Sequence, residues 1–297
     1  MPRSAFSFLL GVLTAAVGLG CRARAAGVSF APITVVDDLG HTVTLRAPPR
    51  RIVSLVPATT ELLFAIGAGD AVVGRTNWCD YPPAAQAIPS VGDGIGPNLE
   101  AVAARQPDLV LLYASADRGA AGEQLRRLGI PTMSLSTDQL SDVARLARLL
   151  GRVTGHEDTA DSIARTFERE LAEAAAPRSP ARTGFLLVWD QPPMTVGRGS
   201  FLTELMARAG VRNVFDDVAA SSAVINIEGV VARNPDLILT LGATSPDIAG
   251  RPEWQVVPAV RARRFVHADG SEFSRPGPRS PQAIRELRQV VETAGSR

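Results

Sequence analysis

The 297-residue chain is poor in the side chains that mark most chemistries: two cysteines, three histidines, three tryptophans and two tyrosines. Cys21 ends or falls within an export leader, which leaves Cys79 alone and the mature chain without an internal disulfide. Stability must then come from core burial, and Cys79 reads as an inert small residue. The histidines, His41, His156 and His267, are scattered, with no HExxH and no i,i+4 pair, which argues against a histidine-rich metal receptor and most metal hydrolases. Gly-x-Ser-x-Gly, a Walker loop and a GxGxxG after the first strand are all missing. The chain offers no assembled catalytic machinery and reads as a non-enzyme without a resident metal or cofactor. Charge of one sign is lacking too: 31 basic residues face 30 acidic ones, so nothing favours nucleic acid or an anionic membrane surface.

Long apolar runs are lacking as well. The one candidate, Phe6 to Leu19 behind Arg3, spans 14 residues, too short for a bilayer and laid out as an export signal over residues 1–25. Two readings of its end stand side by side: cleavage after Ala23-Arg24-Ala25, or lipidation at Cys21 in Gly18-Leu19-Gly20-Cys21. Both put the body in the periplasm or on the outer face of the cytoplasmic membrane.

What is present is a repeat. Asn98-Leu-Glu-Ala-Val-Ala-Ala-Arg-Gln-Pro-Asp-Leu-Val-Leu-Leu112 and Asn226-Ile-Glu-Gly-Val-Val-Ala-Arg-Asn-Pro-Asp-Leu-Ile-Leu-Thr240 share nine of fifteen positions at a separation of 128 residues. That period is too long for a solenoid and suits a duplicated lobe. Each copy places a glutamate, Glu100 or Glu228, two residues after an Asn able to cap a helix, where a carboxylate complements the helix dipole by about 0.3–1 kcal/mol. Capping accounts for either acid singly. A matched pair on matched lobes points to a two-fold symmetric partner.

Around the repeat the pattern is α/β. Residues 33–46 form β-rich runs about an Asp-Asp-Leu-Gly turn, a hairpin. Arg51 to Val56 is a buried strand running into a helix from Pro57 to Gly67, and strand and helix then alternate as in a parallel sheet. Helical spacing extends over 138–150 and again from Asp158 to about Ala176, where Ile163, Phe167 and Leu171 share a stripe. The expected domains are a lobe over 33–150, a connecting helix over 156–177, and a second lobe over 182–297. A rigid connector lets lobes rock only slightly, so the cleft is expected to be largely preformed.

Candidate ligand residues lie in three loops. Asn77-Trp-Cys-Asp-Tyr-Pro-Pro83 places Trp78, Asp80 and Tyr81 after a predicted strand, where loops of open α/β sheets line the crevice. Trp189-Asp-Gln-Pro-Pro-Met194 is expected as the corresponding loop of the second lobe, and facing aromatics suit a large planar ligand. Ser271 to Arg279 holds Phe273, Arg275 and Arg279, able to grip an anionic or amide group or to stand as solvated turn charges.

The run Arg51-Ile-Val-Ser-Leu-Val-Pro-Ala-Thr-Thr-Glu-Leu-Leu-Phe-Ala-Ile-Gly67, the Cys-Asp-Tyr-Pro-Pro loop at 79–83, and Asn-Leu-Glu with Pro-Asp-Leu at 98–109 resemble the periplasmic binding proteins of cobalamin and ferric-siderophore ABC importers. The likeness covers about residues 33–293. It implies two Rossmann-like lobes with parallel sheets bridged by a single long α-helix, a monomer that serves a dimeric ABC permease, and docking of that permease through Glu100 and Glu228. It also implies a metal-chelate ligand held by Trp78, Asp80 and Tyr81, with Trp189 and Phe273 across the cleft and Arg275 at its edge. The Asp-Tyr-Pro-Pro loop and Asn-Leu-Glu place the cobalamin receptors nearest. Ferric-siderophore or haem binding is the alternative in the same class, and an extracytoplasmic enzyme in which Asp80 and His267 converge is the alternative outside it.

Overall fold

The computed structural model describes residues 31–94, 96–114, 119–174, 182–241 and 248–294. The expected leader and Cys21 lie outside the described residues. From Pro32 onward the chain forms one unit, and among its described residues no helix is long and apolar enough to cross a membrane.

β1 (Ile33–Val36) and β2 (Thr42–Leu45) form the expected hairpin, turning Val35, Val43 and Leu45 inward by the two-residue period of a strand. The buried Asp37 carboxylate accepts from the Leu39, His41 and Ser134 amides and so pins the turn to the sheet behind it. β3 (Ile52–Ser54), α1 (Pro57–Ala65), β4 (Val72–Arg75), α2 (Pro83–Gln86), α3 (Leu99–Ala104), β5 (Leu109–Tyr113), α4 (Gly119–Arg127) and β6 (Thr132–Leu135) build the first lobe. Its strands are parallel in the order β4-β3-β5-β6.

α5 (Leu140–Thr154) opens on a capping box of Gln139 with Asp142 and stops at Gly155, whose φ of +75° suits glycine. α6 (Glu157–Ala174) has 18 residues, about 27 Å of helix. Its Ala160, Ala164 and Phe167 join the first lobe's core, Leu171 touches both cores, and Ala174 belongs to the second. The helix therefore bridges the lobes by burying a different part of one stripe in each. Its closeness to α5 depends on Gly151, where a Cβ would fall 2.3 Å from the Ala160 Cβ.

The second lobe holds β7 (Arg182–Leu186), β8 (Trp189–Asp190), β9 (Pro193–Val196), α7 (Phe201–Arg208), β10 (Val211–Asn213), β11 (Ser222–Val224), α8 (Ile227–Arg233), β12 (Leu237–Leu241), α9 (Pro258–Arg261), β13 (Phe265–Ala268) and α10 (Ser280–Ala294). Its parallel sheet runs β10-β7-β12-β13. In both lobes the order by appearance is second, first, third, fourth, so the duplication seen in the sequence is a duplication of topology. Beyond β7 the backbone divides its partners: the Leu187 amide still bonds the Leu239 carbonyl, whereas that of Val188 turns to Met194. Trp189 thus belongs to a small antiparallel sheet, β11-β9-β8, instead of a loop, with Pro193 tolerated as the first residue of its strand.

The repeat now has a physical content. Asn98 and Asn226 accept from the Ala101 and Gly229 amides at 3.0 and 2.8 Å and cap α3 and α8. Asp108 accepts from the Arg50 and Arg51 amides, both at 2.9 Å, and Asp236 accepts from the amide and hydroxyl of Thr183, both at 2.8 Å. Each aspartate staples the start of its lobe's third strand to the start of the first. The Thr183 bonds hold the Asp236 carboxyl below the usual range. Glu100 and Glu228 are exposed in the first turns of these helices.

Candidate functional site

In each sheet the chain's first and third strands are neighbours, and the crevice beyond their carboxyl ends is where an open α/β sheet receives a ligand. In the first lobe, Leu55, Val56 and Pro57 follow β3, Thr76 and Trp78 follow β4, Tyr113 ends β5, and Thr137 follows β6. With Ser274 and Arg275 of the second lobe they line a cavity of about 480 Å³, within the ordinary range for small-molecule sites. Trp78 is 64% exposed and Tyr81 41%, unusual for aromatics and fit for contact with something outside the chain. Tyr113 donates its hydroxyl to Asp138. A larger groove, about 720 Å³, lies along α5 and α6. There Arg145 and Arg148 are already paired with Asp38, Asp142, Asp161 and Glu168, and no sheet crevice opens into it.

At the edge of the cavity the lobes are tied by charge. Glu61 of α1 is buried and takes Arg275 Nε at 2.7 Å, Arg279 Nε at 3.0 Å and an Arg279 Nη at 2.8 Å. Arg275 also donates to Asp80 and, at 3.3 Å, to the Trp78 carbonyl; Arg279 donates to Glu272 and, at 2.9 Å, to the Ser271 hydroxyl. The Arg279 guanidinium lies over the Tyr81 ring, 4.0 Å from its centroid. Partial burial of Asp80 pushes its pKa up, but the hydrogen bond and charge of Arg275 outweigh this and hold it low. For Arg279 burial disfavours the charge, and Glu61 more than offsets it.

These facts sort the expected residues. Trp78 and Arg275 line the cavity, with Asp80 paired to Arg275 and Tyr81 under Arg279 beside them, and the reading of Arg275 and Arg279 as solvated turn charges is overturned, their side chains being 12% and 15% exposed. Trp189 is 55% exposed on its hairpin and is not among the residues lining the cavity. Phe273 is corrected: it is 2% exposed, and its ring fills the second lobe's core with Leu205 and Ile284 instead of facing the cleft. Asp80 pairs with Arg275, while His267 meets Asp269 at 2.8 Å and Thr240 at 2.9 Å, so the convergence an Asp80–His267 enzyme needs is not formed. Sequence reasoning passed over Glu61, Tyr113 and Thr137. The available signal for Glu61 was an acid amid Ala58, Thr59, Thr60, Leu62 and Leu63, all buried on α1.

A family model described as periplasmic binding protein matches residues 52–272. An uncharacterized ABC transporter substrate-binding lipoprotein of Bacillus subtilis, YvrC, is 29% identical over 270 residues, 88% of this chain and 85% of that protein. Among solved structures, the periplasmic vitamin B12 binding protein BtuF of Vibrio cholerae superposes with a TM-score of 0.69 at 25% identity, covering 84% of this chain and 99% of that one. The periplasmic haem-binding protein RhuT of Roseiflexus sp. RS-1 in apo form gives 0.72 at 25% identity, covering 82% and 98%.

Proposed function

As the chain belongs to the periplasmic binding protein family, we propose that it captures a corrinoid in the cleft between its lobes, without catalysis, and delivers it to the permease of an ABC importer. One observation carries the reading: the cavity sits at the first lobe's switch point and is bordered by Ser274 and Arg275 of the second. Trp78 supplies flat apolar surface for the face of a macrocycle, and Thr137 and Ser274 supply hydroxyls for amide groups on its rim. The similarity to a vitamin B12 binding protein over most of both chains supports the corrinoid. The leader is read as routing the chain outside the cytoplasmic membrane, with either cleavage after Ala25 or lipidation at Cys21, the latter in keeping with the lipoprotein relative.

Tyr113 favours haem or another ferric chelate as a second reading, since it lines the cavity and its hydroxyl, now given to Asp138, is of the type that binds ferric iron. Titration of the purified protein with cyanocobalamin, a ferric hydroxamate, a ferric catecholate and haemin, followed by tryptophan fluorescence, separates the two. Submicromolar binding of cyanocobalamin is expected; binding of an iron chelate or haemin at that level, with none of cyanocobalamin, rejects the corrinoid.

For docking, the exposed Glu100 and Glu228 sit at equivalent helix starts on the two lobes and match a permease of two-fold symmetry. A Glu100→Ala, Glu228→Ala double variant is expected to keep its ligand affinity and to lose stimulation of transport in vesicles containing the permease. Unchanged transport removes the two glutamates from the interface.

A further inference from the structure

Five charged side chains meet where the lobes face each other: Glu61 and Asp80 from the first lobe, and Glu272, Arg275 and Arg279 from the second. Three carboxylates against two guanidiniums leave an excess of negative charge. An anionic group approaching Arg275 from the cavity is repelled by that excess unless a carboxylate leaves. The three carboxylates are not equally free to do so. Glu61 is 2% exposed on a helix and is held by both arginines; Glu272 is 13% exposed under Arg279; Asp80 is 48% exposed, on a loop, and reaches Arg275 through the guanidinium's outer nitrogen. Displacing Asp80 returns a carboxylate to water at little cost, whereas displacing Glu61 strands two buried cations.

We propose that the outer edge of Arg275 is an anion subsite of the cleft, and that a carboxylate or phosphate on the ligand binds there by exchanging with Asp80 while Glu61 keeps the guanidinium in place. The exchange conserves charge: one anion enters the cluster and one carboxylate swings to solvent. Arg275 retains its Nε bond to Glu61 and its bond to the Trp78 carbonyl, so only its outer nitrogen changes partner. The cleft then prefers a ligand with an acidic arm over the same ligand with that arm neutralised. This rests on the cleft being the ligand site, as proposed above.

The test uses two ligand pairs that differ in charge at nearly constant shape: cyanocobalamin with a monocarboxylate made by hydrolysing one peripheral amide, and haemin dimethyl ester with haemin. Dissociation constants are measured for the full-length protein and its Asp80→Asn and Arg275→Gln variants. Asp80→Asn removes the competing carboxylate and is expected to shift the ratio about tenfold toward the acidic member, the worth of one charge-assisted hydrogen bond. Arg275→Gln is expected to abolish the preference; should it fail to fold, Asp80→Asn decides alone, because its side chain is half exposed. An equal ratio in the parent and in Asp80→Asn overturns the exchange. A shift seen with the haemin pair when neither corrinoid binds rejects the corrinoid and keeps the exchange, and binding of neither pair rejects both.

Discussion

Glu61→Ala is expected to lower the free energy of unfolding by about 3–5 kcal/mol, the usual cost of breaking a buried ion pair from one side. The mechanism is the stranding of charge. Arg275 and Arg279, at 12% and 15% side-chain exposure, would each lose a carboxylate at hydrogen-bond distance and gain no water in its place. Asp80 and Glu272 remain as partial partners, so the loss belongs within that range and not above it. Asp80→Ala provides the contrast, with an expected cost below about 1 kcal/mol because its half-exposed carboxylate exchanges Arg275 for solvent. Urea unfolding of both variants, with the slope monitored, checks the pair. A loss under about 1 kcal/mol for Glu61→Ala would show that the arginines find water, and the cluster would then be no interlobe tie. A coupling energy between Glu61 and Arg279 from a double-mutant cycle isolates the pairwise part.

What could be read in advance divides along the range of the interaction responsible. The hairpin at 33–46, the strand and helix of 51–67, and the connecting helix with its Phe167 and Leu171 stripe are specified by neighbours two to four residues apart, and each formed within a few residues of its expected place. The repeat was legible as duplication because the same residues recur at the same spacing in both copies; its Asn caps are local, whereas its Asp staples reach partners 57 and 53 residues away. The small sheet was missed since its strands are very short and β11 joins from beyond β10, so no alternation announces it. The Glu61 cluster was missed for a stronger reason. Its members are 214 and 218 residues apart in the chain, and only the folding of both lobes around α6 brings them together. Of the expected site residues, Trp78 reaches the cavity because loops after parallel strands open into the crevice. The loop preceding α10 misled at Phe273, where the chain turns the aromatic inward and the arginine two residues later toward the other lobe.

Phe273→Ala is accordingly expected to act on stability and to spare recognition. Its ring is 2% exposed among Leu205, Ala283, Ile284 and Leu287, and removing a buried phenyl from such a cluster costs about 3–5 kcal/mol through lost transfer energy and the cavity left behind. The cavity cannot be closed cheaply: its walls belong to helices that the parallel sheet holds in position. Trp78→Ala is its counterpart. That side chain is 64% exposed and lines the cleft, so its removal should leave unfolding within about 0.5 kcal/mol of the parent, while ligand affinity falls by roughly tenfold or more as one aromatic face is lost. Unfolding curves and ligand titrations on both variants, the latter at a temperature where Phe273→Ala is fully folded, separate core from site. Should Phe273→Ala keep its stability and lose its ligand, the ring would have to turn out into the cleft when ligand arrives, and the second lobe's core would have to be redrawn around Leu205 and Ile284.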